Sequence, residues 1–121
     1  MAKNVLGTAL ELCSLSPVTG FQRDGFCRLL PGDRGEHTVC AIVDEAFLNY
    51  TKQQGNDLST PIPAFGFEGL KPGDAWCLCL GRWLQAHRAG VAPPIRLASC
   101  DASVLEKVDL ETLKSYALST S

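Results

Sequence analysis

The segment WCLCLGRW, residues 76–83, decides how the centre of this chain folds. A Lys-Pro-Gly-Asp turn precedes it, and its first five residues are apolar or carry thiols, which predicts a strand. Alternate side chains of a strand point to opposite faces, so Cys77 and Cys79 are expected to share one face. The residues that follow, from about Arg82 to Ala89, predict a short helix. The segment therefore predicts a strand-to-helix junction that carries two thiols.

A second apolar segment, HTVCAIV (residues 37–43), predicts the strand that lies near WCLCL in the centre of the fold. Asp44 follows it directly and can cap a helix, because its carboxylate can accept hydrogen bonds from the free N–H groups of the first turn. This helix is expected to run through residues 45–54 and to end at Gly55. Periodicity also predicts an earlier strand from Asn4 to Cys13.

Two later aspartates, Asp101 and Asp109, are expected to cap short helices near the end of the chain. Together these elements predict an α+β fold: a small single domain with a short central sheet, flanking helices and two long ordered loops. The domain is expected to cover residues 1–121, with an ordered body from about 4 to 118 and a frayed tail at 119–121.

The net charge and the composition of the chain argue against several classes of function. The net charge is −2, and no run of Lys or Arg is present, which argues against nucleic acid or an anionic membrane surface as the main partner. No apolar stretch approaches the roughly 20 residues that a membrane helix needs. With 45% hydrophobic and 20% charged residues, the composition is that of an ordinary globular protein.

The N-terminal residues lack the charged-then-apolar pattern of a secretory signal, which predicts a cytoplasmic location. The chain has six cysteines, fewer than a secreted disulfide scaffold usually carries. In the cytosol these thiols are expected to be reduced by default. The spacing of the cysteines does not choose among the pairings that six of them allow.

The two long loops, residues 14–36 and 56–74, are rich in turn-forming residues. Loops of this length are usually functional or disordered in compact domains. Phenylalanines at positions 21, 26, 65 and 67 favour loops that pack onto the body of the protein. We therefore expect a pocket between them that binds, or acts on, a small anionic ligand.

Cys77 and Cys79 are the candidate catalytic residues, with Cys40 as a third thiol in the pocket wall. A reactive thiolate needs nearby positive charge or a helix N-terminus, and Arg82 lies just after the cysteines. His37 or His87 could act as the base. The alternative is that these cysteines are small apolar residues of the core.

The candidate ligand-binding residues are polar or aromatic and lie in the long loops or beside the cysteine strand: Arg23, Asp24, Asp57, Asp74, Trp76 and Arg82. The two arginines would receive an anionic group, and Asp57 and Asp74 would fix loop geometry or polar contacts. Ordinary side-chain turns explain the clusters around Asp24 and Asp57 without any ligand.

A metal-binding module is a competing interpretation, and the sequence specifies no cofactor. Its candidate ligands are Cys40, Cys77, Cys79 and His37, although a closed zinc site usually shows wider spacing than Cys-x-Cys. In a straight strand His37 and Cys40 point to opposite faces. A third interpretation is an interaction protein whose cysteines are all core, and it predicts an exposed apolar patch that includes Trp83.

Several motifs resemble a bacterial family known as domain of unknown function 2237. They are NVLG (4–7), TGFQRDG (19–25), HTVCA (37–41), GNDLSTP (55–61), GLKPGDAWCLCLGRW (69–83) and AGVAPP (89–94). The resemblance extends from about Asn4 to Leu118. It implies a small cytosolic bacterial protein and brings no established activity. Family members tend to have Cys-Cys after the RDG motif, where this chain has Phe26-Cys27.

Overall fold

The computed structural model describes residues 2–118 and has a two-stranded antiparallel sheet at its centre. Strand β1 is His37–Ile42 and strand β2 is Ala75–Cys79, which confirms both predicted strands. Cys40 lies opposite Cys77 in the register. The predicted frayed tail at 119–121 lies outside the described residues.

Strand β1 contains a bulge near its start. Val39 lies opposite Leu78 and His37 lies opposite Cys79, so two steps along β1 correspond to one step along β2. The extra residue is Thr38, which is fully buried. Since residues directly opposite each other share a face of the sheet, the bulge shifts His37 to the face of Cys79.

Within residues 2–118, the sheet is accompanied by three α-helices: α1 (Glu45–Gln53), α2 (Leu80–Arg88) and α3 (Leu110–Ser115). Short 3₁₀ turns lie at Pro63–Phe65, Leu97–Ser99 and Ala102–Glu106. With the central sheet, these elements confirm the predicted α+β fold.

The three aspartate caps are confirmed. The side chain of Asp44 accepts a hydrogen bond of 2.8 Å from the N–H of Phe47, which begins α1. Asp101 caps a 3₁₀ turn, and Asp109 caps α3 through the N–H of Thr112.

Helix α2 begins two residues earlier than predicted, directly after β2. The N–H of Leu80 donates a 3.0 Å hydrogen bond to the carbonyl of Glu36, and the Leu80 side chain is buried. No linker separates the two elements, so Cys79 is both the last residue of β2 and the N-cap of α2.

The predicted strand from Asn4 to Cys13 is wrong, because the buried side chain of Asn4 folds this segment back on itself. Its Oδ1 accepts hydrogen bonds from the N–H groups of Leu6 and Thr8, and its Nδ2 donates to the carbonyl of Ala98. Gly7 adopts a φ of 85°, which an extended strand cannot contain. Within the described chain, this segment forms only isolated bridges, at Lys3 and Asn4.

The core contains both strands and the inner faces of α1 and α2. Trp83 is fully buried, and its indole N–H donates a 3.2 Å hydrogen bond to the carbonyl of Pro93. The expectation that Trp83 belongs to an exposed apolar patch is therefore wrong. Among residues 2–118, no helix has both the length and the apolar character needed to cross a membrane.

Candidate functional site

Cys79 carries a free thiol at the junction of β2 and α2 and is partly exposed to solvent. Its Sγ lies 3.4 Å from Nε2 of His37, within hydrogen-bonding distance for sulfur. The structure thus places one of the two candidate nucleophiles beside one of the two histidines that the sequence offers as its base.

His37 is held by Asp33. Nδ1 of the imidazole lies 2.7 Å from Oδ1 of Asp33, and the backbone N–H of His37 donates to Oδ2 at 2.9 Å. The side chain of Asp33 is fully buried. A carboxylate at Nδ1 keeps the proton on that nitrogen and leaves Nε2 facing the thiol. The three residues form a cysteine–histidine–aspartate arrangement of the kind used in nucleophilic catalysis.

The bulge in β1 explains how His37 reaches this position. In a straight strand His37 and Cys40 would point to opposite faces, as the sequence predicts. The extra residue Thr38 moves His37 opposite Cys79, while Cys40 stays opposite Cys77.

The pKa of His37 is raised to about 9. The main cause is the hydrogen bond with Cys79, and the hydrogen bond with Asp33 adds to it, while partial burial acts in the opposite direction. His37 is therefore protonated at neutral pH. An imidazolium next to sulfur stabilises a thiolate relative to a thiol.

Gly35 leaves the space in which this pair meets. A Cβ atom at position 35 would lie 3.1 Å from Cε1 of His37 and 3.2 Å from Sγ of Cys79. Both distances are shorter than ordinary van der Waals contact, so a larger residue would displace the pair. Phe21 of the first long loop stacks on the imidazole, with ring centroids 6.0 Å apart.

Cys79 opens into a groove of about 480 Å³ between the start of β1 and helix α2. Four cationic side chains line the groove: Arg34, Arg82, Arg88 and Lys107. Glu36 is the carboxylate among the lining residues, and it pairs with Lys107 at 2.6 Å. The side chains that line the groove therefore carry more positive than negative charge. Of the predicted arginines, Arg82 lies at this site.

A second cavity, of about 370 Å³, lies between the two long loops, where the sequence predicts a thiol-lined pocket. Its lining includes Arg23, Asp74 and Trp76, and the guanidinium of Arg23 lies 5.1 Å from the centroid of the Trp76 ring. Among the described residues that line this cavity, none is a cysteine. Four of the six predicted ligand-binding residues thus divide between two separate cavities, and Asp24 and Asp57 line neither of them.

Asp24 and Asp57 make local contacts. Asp24 pairs with Arg28 at 2.8 Å. Asp57 accepts hydrogen bonds from Ser59 N–H and from both the N–H and the hydroxyl of Thr60. These are the turn-forming roles that the sequence offered as the alternative to ligand binding.

Cys77 and Cys40 lie away from the groove. Both are buried, and the structure joins Cys77 to Cys27 and Cys40 to Cys13 as disulfides. The predicted ligand set of Cys40, Cys77, Cys79 and His37 is therefore divided, with Cys79 and His37 at the groove and the other two inside the protein.

The other free thiol and the second histidine have structural explanations, which are burial and ring packing. Cys100 is a buried thiol whose pKa is raised to about 12 by burial, so it stays protonated. His87 stacks on the ring of Trp83 with centroids 5.4 Å apart. Of the two histidines, His37 is the one that contacts a thiol.

Sequence reasoning missed Asp33 and Gly35. Asp33 lies in a Pro-Gly-Asp sequence, which is typical of a turn, and Gly35 follows an arginine in the same loop. The sequence does contain one indication of the pair, because Asp33 precedes His37 by four residues, just before a predicted strand.

Fold and site together define a small α+β domain with a free thiol, a histidine and a buried carboxylate at a strand-to-helix junction. The chain belongs to the family described as "uncharacterized protein conserved in bacteria (DUF2237)", whose model matches residues 3–117. The matched region includes Asp33, His37 and Cys79. Comparison with curated proteins gives no match.

Proposed function

We propose that this protein is a thiol-dependent enzyme that transfers or hydrolyses an acyl group of a small anionic substrate. Cys79 is the nucleophile, His37 the general base and acid, and Asp33 the residue that positions His37. The observation that supports this proposal is the continuous contact from Sγ of Cys79 through the imidazole to the buried carboxylate of Asp33.

In the first half of the reaction His37 holds the proton of Cys79, and the sulfur attacks the carbonyl carbon of the substrate. The carbonyl π-electrons move to oxygen and form a tetrahedral intermediate. When these electrons return, the bond to the leaving group breaks, and His37 gives that group its proton. The product is a thioester on Cys79.

In the second half, water or another acceptor gives a proton to His37 and attacks the thioester carbonyl. The carbon–sulfur bond then breaks, and the thiolate of Cys79 is restored beside the imidazolium. Asp33 stabilises the imidazolium through both halves without taking up a proton.

Helix α2 supports the charge that develops in these steps. The first N–H groups of a helix have no carbonyl partner within it, and they form the positive end of the helix dipole. In α2 these groups include the N–H groups of Gly81 and Arg82, which follow Cys79 within the first turn. They are the candidate donors to the tetrahedral oxyanion.

The cationic lining of the groove supports an anionic substrate. The guanidinium of Arg82 donates to the carbonyl of Gln54 and to Oε1 of Gln85, which hold it at the groove. Arg34 and Arg88 line the same groove and are exposed. A cytoplasmic location belongs to the proposal, because reducing compartments keep a thiol such as that of Cys79 free.

Alkylation by iodoacetamide tests the pairing of Cys79 with His37. At pH 7 the wild-type protein is expected to react about 10-fold faster at Cys79 than the His37→Gln variant, since an unassisted cysteine is mostly protonated there. The raised pKa of His37 defines the pH range of this effect, because the imidazolium is present below about pH 9 and is lost above it. The advantage of the wild type is therefore expected to disappear as the pH rises through 9.

The measurement is the rate of label incorporation at Cys79, located by peptide mass mapping, from pH 6 to pH 10. His87→Gln is the matched control and should react like the wild type, because His87 stacks on Trp83. Equal rates for wild type and His37→Gln at pH 7 would contradict the proposed pairing.

A comparison of two alkylating reagents tests the preference for anions. Iodoacetate carries a carboxylate and iodoacetamide does not, so the cationic groove should favour the former. The Arg82→Gln/Arg88→Gln double variant is expected to lower the iodoacetate-to-iodoacetamide rate ratio at Cys79 about 3- to 10-fold, and added salt should lower it in the wild type. Arg28→Gln is the control, because Arg28 pairs with Asp24 elsewhere. A ratio unchanged in the double variant would refute an anion-binding groove.

A further inference from the structure

We propose that the four buried cysteines Cys13, Cys27, Cys40 and Cys77, when reduced, form one tetrahedral zinc site that is separate from the Cys79 site. The two disulfides of the structure and the zinc-bound form would be alternative states of the same four sulfurs.

The sheet and the first long loop bring the four residues together. Cys40 and Cys77 lie opposite each other in β1 and β2. Cys40 is bonded to Cys13, which directly precedes the first long loop, and Cys77 is bonded to Cys27 within that loop. The N–H of Cys13 donates a 2.7 Å hydrogen bond to the carbonyl of Gly25, which holds the two loop segments side by side.

The spacing of the sulfurs fits a metal. The sulfur atoms of Cys13, Cys27 and Cys77 all lie within 4.8 Å of one another, and that of Cys40 is joined to Cys13. Zinc–sulfur bonds of about 2.3 Å place the sulfurs of a tetrahedral site roughly 3.8 Å apart. The sulfurs of Cys13, Cys27 and Cys77 would therefore need movements on the order of 1 Å after the disulfides open, and the sulfur of Cys40, which lies outside this group, would have to swing toward them by side-chain rotation.

The surroundings also suit a closed structural site. The four residues are between 0% and 4% exposed, so protein rather than water would surround the ion. Zinc with four thiolates carries a charge of −2, and Arg96 lies beside the proposed site. The guanidinium of Arg96 donates a 3.0 Å hydrogen bond to the carbonyl of Cys13, and the backbone N–H of Arg96 donates one of 2.9 Å to the carbonyl of Cys40. The arginine thus fixes the backbone of two ligands and offsets negative charge.

The formation of the site can be written with a phosphine as reductant. Each disulfide reacts with one phosphine and one water to give two thiols and a phosphine oxide. Zn²⁺ then binds the four sulfurs and releases four protons. Cys79 and Cys100 take no part, since both are free cysteines outside the group of neighbouring sulfurs.

The test uses the full-length protein reduced with tris(2-carboxyethyl)phosphine and titrated with Co²⁺ and then Zn²⁺ without oxygen. We expect one metal per chain, with the visible absorption bands of tetrahedral cobalt thiolate that zinc removes. Thiol labelling with and without zinc, followed by mass mapping, should show that zinc slows the labelling of Cys13, Cys27, Cys40 and Cys77 and leaves the labelling of Cys79 and Cys100 unchanged. This result needs no variant, so it does not depend on whether a substituted protein folds.

Variants assign the ligands. Cys27→Ser and Cys40→Ser are each expected to weaken zinc binding at least 10-fold, while Cys79→Ala and Cys100→Ala should bind as the wild type does. Absence of the cobalt bands, zinc-dependent protection of any other set of cysteines, or loss of binding in Cys79→Ala would overturn the proposal. Because the zinc test excludes Cys79 and the alkylation tests depend on it, failure of one proposal can be told from failure of the other.

Discussion

Cys79→Ala is expected to lose esterase activity by a factor on the order of 10³ or more, because it lacks the sulfur that attacks the substrate. A suitable probe is p-nitrophenyl hemisuccinate, an activated ester that carries a carboxylate for the cationic groove. The wild type should release about one equivalent of nitrophenolate per chain in a fast first phase as the thioester forms. The measurement is the stopped-flow absorbance of nitrophenolate, with mass spectrometry of the acylated protein.

Asp33→Asn should lower the same rate by a factor on the order of 10²–10⁴, because an amide no longer fixes the proton of His37 on Nδ1. Two matched controls are available. Cys100→Ala removes a buried thiol, and Asp109→Asn replaces a carboxylate by a residue that caps α3 equally well. If Cys79→Ala kept the fast phase, or if both aspartate variants behaved alike, the assignment of these residues would be wrong.

Trp83→Ala is expected to lower the free energy of unfolding by about 3–5 kcal/mol. The indole is fully buried, contacts the ring of Tyr116 edge-on at 5.1 Å between centroids, and donates a hydrogen bond to Pro93. Its removal leaves a large cavity and an unpaired carbonyl. Urea denaturation followed by circular dichroism measures the difference.

Phe65→Ala is the matched aromatic control, since this side chain is 83% exposed and its loss should cost less than about 0.5 kcal/mol. Trp83→Phe separates packing from hydrogen bonding and should lie between the two. A loss below about 1 kcal/mol for Trp83→Ala would show that the α2 face is not part of the stabilising core.

Much of the fold could be predicted from short-range signals. The apolar segment at His37–Val43 and the capping aspartate Asp44 both depend on neighbouring residues alone, and the structure confirms the strand and the helix they predict. The strand predicted for the segment from Asn4 is wrong because that prediction also depends on neighbouring residues alone. Its alternating leucines suggest a strand, but the long-range bond from Asn4 to Ala98 favours a turn that local periodicity does not reveal.

Some residues of the candidate site can be recognised in the sequence. Cys79, His37 and Arg82 each stand out there because of their side-chain chemistry. Their arrangement was not visible, since it depends on a bulge and on Asp33, whose position in a Pro-Gly-Asp turn already has a local explanation. The separation of Cys77 from Cys79 depends on Cys27, a partner 50 residues away in the chain that spacing alone cannot identify.

The bulge at Thr38 decides whether the histidine and the cysteine can meet. If the same residues paired in regular register, Thr38 would lie opposite Cys79 and the imidazole would turn toward the other side of the sheet, with every reactive group still present in the sequence. A relative that keeps the histidine and the cysteine but pairs these strands without the bulge would thus be expected to fold similarly and yet be chemically inert. The register of the two strands next to Thr38 is then a more discriminating criterion for function in such relatives than the presence of either side chain.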